Sequence, residues 1–229
     1  MHQAGIRDEI IARVIARRGK LHLFDHFDPA RTAVVVIDMQ GTFCDEGGPA
    51  EVPLSRAIVA SINRLNTAVR GAGGHVIWIN HANHSTSTGS DWARFFNNFV
   101  AADVRERTIA SLAPGGAGQK VWSGLNVEDD DIRLLKNRYS ALVPGSSSLE
   151  RVLRSHGIDT LLITGTKTNI CCESTARDAM MMDFDVVMVS DATAALSDDE
   201  HRAALETIIQ QFGDVLSVDE IIERLPSGG

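Results

Sequence analysis

Three residues of different chemistry, Asp38, Lys136 and Cys171, each stand at or just beyond the end of an apolar run. Cys171 follows Leu161-Leu162-Ile163-Thr164-Gly165, where 160–164 reads as an inner strand of a parallel sheet and 169–182 takes up helical spacing. A cysteine in the first turn of a helix lies among unpaired backbone N–H groups at the positive end of the dipole, a setting that stabilises a thiolate. Its neighbour Cys172 points about 100° away around the helix and reads as a buried structural thiol. Asp38 ends the strand 33–38, apolar from Ala33 to Ile37, and Lys136 ends the shorter run Ile132-Arg133-Leu134-Leu135. In an open parallel sheet, ligands bind beyond the carboxyl ends of the strands, so one edge receives an acid, a cation and a thiol. A carboxylate can take the thiol proton, an ammonium favours the thiolate, and backbone N–H groups can hold the oxyanion formed on carbonyl attack. That is acyl transfer through a thioester. Cys44, the rival thiol, sits in the loop after the first strand with no helix N-terminus to activate it.

The elements that must position these residues alternate in type along the chain, with no linker or repeat. Expected are an amphipathic helix over 3–18, a strand 33–38, a long helix 54–72, a strand 75–80 and the strand ending at Lys136. Then come a helix 147–156, the strand to Thr164, the nucleophile helix, a strand 186–190, a helix 198–211 and a closing strand and helix. Segment 81–131 is less regular, and Gly115-Gly116-Ala117-Gly118 reads as a surface turn. Met180-Met181-Met182 reads as a helix end packed in the core, and Asp191 as a loop cap. Strand and helix alternation of this kind implies a three-layer α/β/α sandwich around a mainly parallel sheet, Rossmann-like in outline. The first helix carries Ile6, Ile10 and Val14 beside Ile11 and Ile15. Two roles stay open for it, packing on its own domain or an arm that embraces a neighbouring subunit.

Composition sets bounds on function. A chain of 229 residues, 44% of them hydrophobic, can bury one sizeable core. Three cysteines, two of them adjacent, cannot build a disulfide framework, which fits a reducing, cytoplasmic location. No run approaches a membrane span, and Arg7, Asp8, Glu9 and Arg13 interrupt any signal-peptide core. A net charge of −8 without a basic stripe excludes a nucleic-acid partner, which needs clustered Lys and Arg to displace counterions.

The motifs together resemble the isochorismatase-like cysteine hydrolases, a family that includes nicotinamidases, N-carbamoylsarcosine amidohydrolase, and ureidoacrylate and biuret hydrolases. The resemblance rests on Val36-Ile37-Asp38-Met39-Gln40 with Phe43, on Lys136 with Arg138-Tyr139-Ser140, on Gly165-x-x-Thr168-Asn169-x-Cys171, and on Ser174-Thr175-x-Arg177-Asp178-Ala179. It covers residues 28–225 and implies an N-terminal helical arm, 1–27, before a hydrolase domain, 28–229. It further implies Asp38 as general base, Lys136 as the cation and Cys171 as nucleophile. A non-proline cis peptide is implied between Thr166 and Lys167, with the backbone N–H groups of Lys167 and Cys171 forming the oxyanion hole. The implied activity is cofactor-independent hydrolysis of a small amide or N-carbamoyl (ureido) compound, nearest the ureidoacrylate and biuret type, with release of ammonia. The implied assembly is a homodimer or homotetramer. The alternatives are vinyl-ether hydrolysis of the isochorismatase type, which needs no thiol, and a non-catalytic binding protein on the same fold.

Phe43, Asn80, His81 and Tyr139 are the residues expected to contact substrate. His81 and His84 alone fall short of a closed metal site, and the loop Cys44-Asp45-Glu46-Gly47-Gly48-Pro49 supplies no further His, so no metal is expected. Arg177 and Asp178 are expected in structural ion pairs.

Overall fold

The computed structural model describes residues 1–3, 5–87 and 89–226. In chain order it forms α1 (Asp8–Arg18), β1 (Thr32–Ile37), α2 (Gly41–Cys44), α3 (Val59–Gly71), β2 (His75–His81), a small hairpin of β3 (Ser85–Thr86) and β4 (Gly89–Ser90), α4 (Ala93–Asn98) and α5 (Ala102–Leu112). There follow β5 (Ile132–Lys136), α6 (Leu149–Ser155), β6 (Thr160–Thr166), α7 (Glu173–Met181), β7 (Asp185–Ala194), α8 (Asp198–Gln211), β8 (Asp214–Leu216) and α9 (Val218–Arg224).

Every residue of β1 is buried, as expected of a strand covered on both faces, and β1 lies inside a six-stranded sheet of order β5-β2-β1-β6-β7-β8. All five pairings are parallel. Side chains alternate between the two faces. Ala33, Val35 and Ile37 pack with Leu149 and Leu153 of α6, Ala176 of α7 and Leu205 of α8, whereas Val34 and Val36 pack with Ile62 and Leu65 of α3 and Ile221 of α9. This is the expected three-layer α/β/α sandwich. The chain steps outward one way through β1, β2 and β5 and the other way through β6, β7 and β8, so the order reverses between β1 and β6. A crevice at such a switch point is where an open α/β sheet takes its ligand.

The first helix starts at Asp8 and packs on its own domain. Ile10 and Val14 are buried in the same core as α8, while Arg7 Nη2 donates to Glu206 at 2.6 Å and Arg13 to Gln210 at 3.0 Å. Ile15 remains exposed. Other details depart from the sequence reading. The helix expected over 54–72 begins as a 3-10 turn, Pro53–Ile58, before α3. The strand expected to end at 190 runs to Ala194, and Asp191, inside it, caps α9 by accepting the Val218 N–H at 2.8 Å. Met182 packs against the core as expected, but Met180 and Met181 are exposed: α7 turns Ala176 and Ala179 inward at helical spacing, which sends the next two positions to solvent. Arg177 does pair with Glu173, at 2.5 Å. In the glycine-rich stretch only Gly115, with φ +77°, behaves as a free turn. Gly118 is buried, and a Cβ there would stand 2.8 Å from the Thr42 amide nitrogen.

Candidate active site

Asp38 is the first residue past β1, and its backbone takes φ +56°, a left-handed conformation that aspartate tolerates better than most residues. The turn is pinned by Asp38 N–H to Ile79 O at 2.8 Å and by Gln40 N–H to Asp38 O at 2.9 Å. Gln40 braces the neighbouring strand end as well, donating to His81 O at 3.0 Å and accepting the His81 N–H at 2.6 Å.

Gly165 sets the spacing on the other side of the crevice. Its φ is +103°, and a Cβ there would fall 2.0 Å from Ile37 O, so only glycine lets β6 lie against the end of β1. Directly after it the Thr166–Lys167 peptide is cis, as the family resemblance implies. The chain then makes one π turn, Thr168–Cys172, and continues into α7. Cys171 therefore sits at the helix entrance as expected, though in a π turn. Two hydroxyls anchor the turn: Thr175 Oγ1 donates to Cys171 O at 2.8 Å, and Thr168 Oγ1 meets His201 Nδ1 at 2.9 Å.

Lys136 arrives from β5, one strand beyond β2, in register with His81. Its side chain is buried, and its ammonium lies 2.8 Å from Asp38 Oδ2, 2.9 Å from His81 Nδ1 and 3.0 Å from Arg138 O, with the Cys171 thiol also beside it. Because Nδ1 accepts from an ammonium, His81 carries its proton on Nε2, which points to Asn83 Oδ1 at 2.6 Å. Burial, and next the charge of Lys136, hold the His81 pKa well below its ordinary value, so the imidazole is neutral.

Asp38, His81 and Cys171 present an oxygen, a nitrogen and a sulfur within 4.8 Å of one another. Such a set has metal-binding character, but the Lys136 ammonium already contacts the first two of these groups, and the local positive charge is the protein's own. His84 stands apart, exposed and 3.4 Å from Asp91. Burial, and then the Asp38 charge, push the Cys171 thiol up to about 12. At rest, then, the sulfur is protonated, and the activation expected from the helix dipole and the ammonium does not outweigh desolvation. Burial also lifts the Asp38 carboxyl above its ordinary range, although Lys136 pulls it down. The other two thiols are enclosed. Cys44 is pushed up to about 11 by burial, and Cys172 Sγ lies 3.6 Å from Thr164 O.

A cavity of about 500 Å³ opens over Asp38 and Cys171. Phe43, His81 and Tyr139, the residues expected to contact substrate, line it, and so do Thr166 and Lys167. Asn80 does not: it precedes His81 on β2 and so points to the opposite face, where its amide donates to Gln119 O at 2.6 Å. Missed in the sequence were Trp92, Phe95 and Phe96, which form much of the wall. Their spacing of three and four residues, continued by Phe99, was a visible helical stripe of aromatics within a segment read as irregular.

Residues 32–220 match the family model described as the isochorismatase domain. Among solved structures, a cysteine hydrolase from Pseudomonas syringae pv. phaseolicola 1448A is 32% identical, with a TM-score of 0.79 over 90% of this chain and 96% of that one. An isochorismatase-like hydrolase from Alkaliphilus metalliredigens is 29% identical, with a TM-score of 0.70 over 84% of this chain and 98% of that one. N-carbamoylsarcosine amidase from Thermoplasma acidophilum shares the fold at 24% identity and a TM-score of 0.66, over 82% of this chain and 97% of that one.

Proposed function

We propose that this chain, which belongs to the isochorismatase family, is a cysteine-dependent amidohydrolase that cleaves an amide or N-carbamoyl compound through a thioester and releases ammonia. The observation that carries the reading is the buried Asp38–Lys136 pair, 2.8 Å apart, whose Asp38 lines one cavity together with the Cys171 thiol. A carboxylate with a raised pKa is a stronger base, so Asp38 suits removal of the thiol proton as the sulfur attacks the carbonyl. Lys136 keeps that carboxylate charged in a site that would otherwise neutralise it. The developing oxyanion is assigned to the backbone N–H groups of Lys167 and Cys171, beside the cis peptide. Collapse of the tetrahedral species breaks the C–N bond, and the nitrogen leaves as ammonia with the proton from Asp38. Water, giving a proton to Asp38, then hydrolyses the thioester, and the thiol regains that proton.

Ammonia release from a panel of amides and ureides tests this. The wild type turns over at least one of them, and Cys171→Ala abolishes that turnover while keeping its fold by circular dichroism; undiminished release from Cys171→Ala overturns the reading. The proposal extends to a homodimer or homotetramer in the cytoplasm, supported by the exposed Phe99 and Leu196 and by three free thiols among the described residues. No helix among those residues is long and apolar enough to cross a membrane. A monomer in light scattering would remove the oligomer from the account.

A further inference from the structure

We infer that the substrate carries an aromatic or bulky aliphatic body, larger than any simple ureide, seated against Trp92, Phe95 and Tyr139; this rests on the amidohydrolase reading of the same site. The cavity, at about 500 Å³, falls in the range that encloses drug-sized ligands, and a ureide of a few heavy atoms would leave most of it to water. Its wall is built as a box of rings. Trp92 and Phe95 have centroids 4.7 Å apart, Trp92 meets Tyr139 edge-on at 4.8 Å and 76°, and Phe95 meets Tyr139 at 5.6 Å and 76°. All three rings are only partly buried and line the cavity, so the fold leaves apolar ring surface against which a planar or branched group can pack.

The polar groups of the wall have little left to offer such a body. Glu51 is held by Arg56 at 2.9 Å and by the Gly47 N–H at 2.8 Å, Thr108 Oγ1 donates to Val104 O at 2.7 Å, and both ring nitrogens of His81 are engaged. Tyr139 and Lys167 line the cavity at the end that holds Cys171. A polar group pressed against the apolar surface of Trp92, Phe95 and Tyr139 would be desolvated without a partner there, and that opposes an all-polar ureide.

The test compares phenylacetamide and cyclohexanecarboxamide with acetamide and biuret, in the wild type, Phe95→Ala and Phe95→Leu. Expected are kcat/KM values at least about tenfold higher for the two bulky amides, a preference that Phe95→Ala cuts about tenfold, chiefly through KM, and that Phe95→Leu partly restores. Equal or better turnover of acetamide or biuret overturns the inference. If none of the four releases ammonia, the amidohydrolase reading is what has failed for these compounds, and binding to Cys171→Ala protein decides the inference. Phenylacetamide binding weakened by Phe95→Ala supports it, and no detectable phenylacetamide binding overturns it.

Discussion

The sheet edge that carries Asp38, Lys136 and Cys171 and the segment that roofs it are built on different terms. At the edge, strand register places each group: β1 lies between β2 and β6, Ile37 is opposite both Ile79 and Gly165, and Lys136 is opposite His81. All three functional side chains are buried, and they belong to elements of the two large cores. The roof, between β2 and β5, has a small core of its own in Phe96, Ile109 and Leu112, with Phe43, Trp92, Phe95 and Val100 packed around it. The difference separates two tasks. On the proposed reading, chemistry depends on a geometry that the whole sheet enforces, whereas selection of the substrate depends on a satellite cluster that can change without disturbing the sheet.

The heaviest blow to the edge is Lys136→Met. It keeps the length of the side chain but strands a fully buried carboxylate, so unfolding in urea should show a loss of about 3–5 kcal/mol along with near-complete loss of ammonia release. Stability within 1 kcal/mol or so of wild type would mean that the pair does not organise the edge. Next comes Gly165→Ala, which sets a methyl group against Ile37 O at a left-handed φ; about 3 kcal/mol should be lost, with activity falling because β1 and β6 position both Asp38 and Cys171. Denaturant unfolding and turnover measured together check this, and a neutral result would show that the strands part easily.

Ile109→Ala probes the other side of the comparison. About 2–4 kcal/mol of packing should be lost, but as local opening: amides of α4 and α5 exchange faster while the global unfolding midpoint moves little. A fall in the midpoint as large as that of Leu162→Ala, in the main core, would merge the two regions into one cooperative unit. The gentlest probe is pH. The proposed mechanism needs ionised Asp38, whose pKa is raised, so kcat/KM should fall on the acid side with a midpoint above the ordinary carboxylate range. On the alkaline side no break from Cys171 should appear below pH 9, because its thiol titrates only near 12. An alkaline break that Cys171→Ser abolishes would show that the resting sulfur is far more acidic than this.

The same contrast explains what could be read from sequence. Asp38, Lys136 and Cys171 were legible because each ends an apolar strand, and a parallel sheet brings such ends together. The protonation state was not legible, since the helix N-terminus and the ammonium are visible as neighbours while desolvation depends on how deeply the turn is packed. Asn80 and His81 differ by one residue on one strand, yet face opposite sides, and only the register with β5 shows which one enters the cavity. In the roof, Trp92, Phe95 and Phe96 had a helical period, but short helices in a segment read as loop hid it. The fate of the first helix needed tertiary contacts, because an apolar face reads alike whether it meets its own α8 or another subunit.

The central claim is that Cys171 becomes acylated during turnover. Rapid acid quench of the wild type with a substrate it turns over, followed by intact-mass and peptide analysis, should show an adduct equal to the substrate less ammonia, carried on Cys171. Cys172→Ala should show the same adduct, and Cys171→Ala should show none. Sustained ammonia release with no adduct at any quench time, and at the same rate in Cys171→Ala, would contradict it.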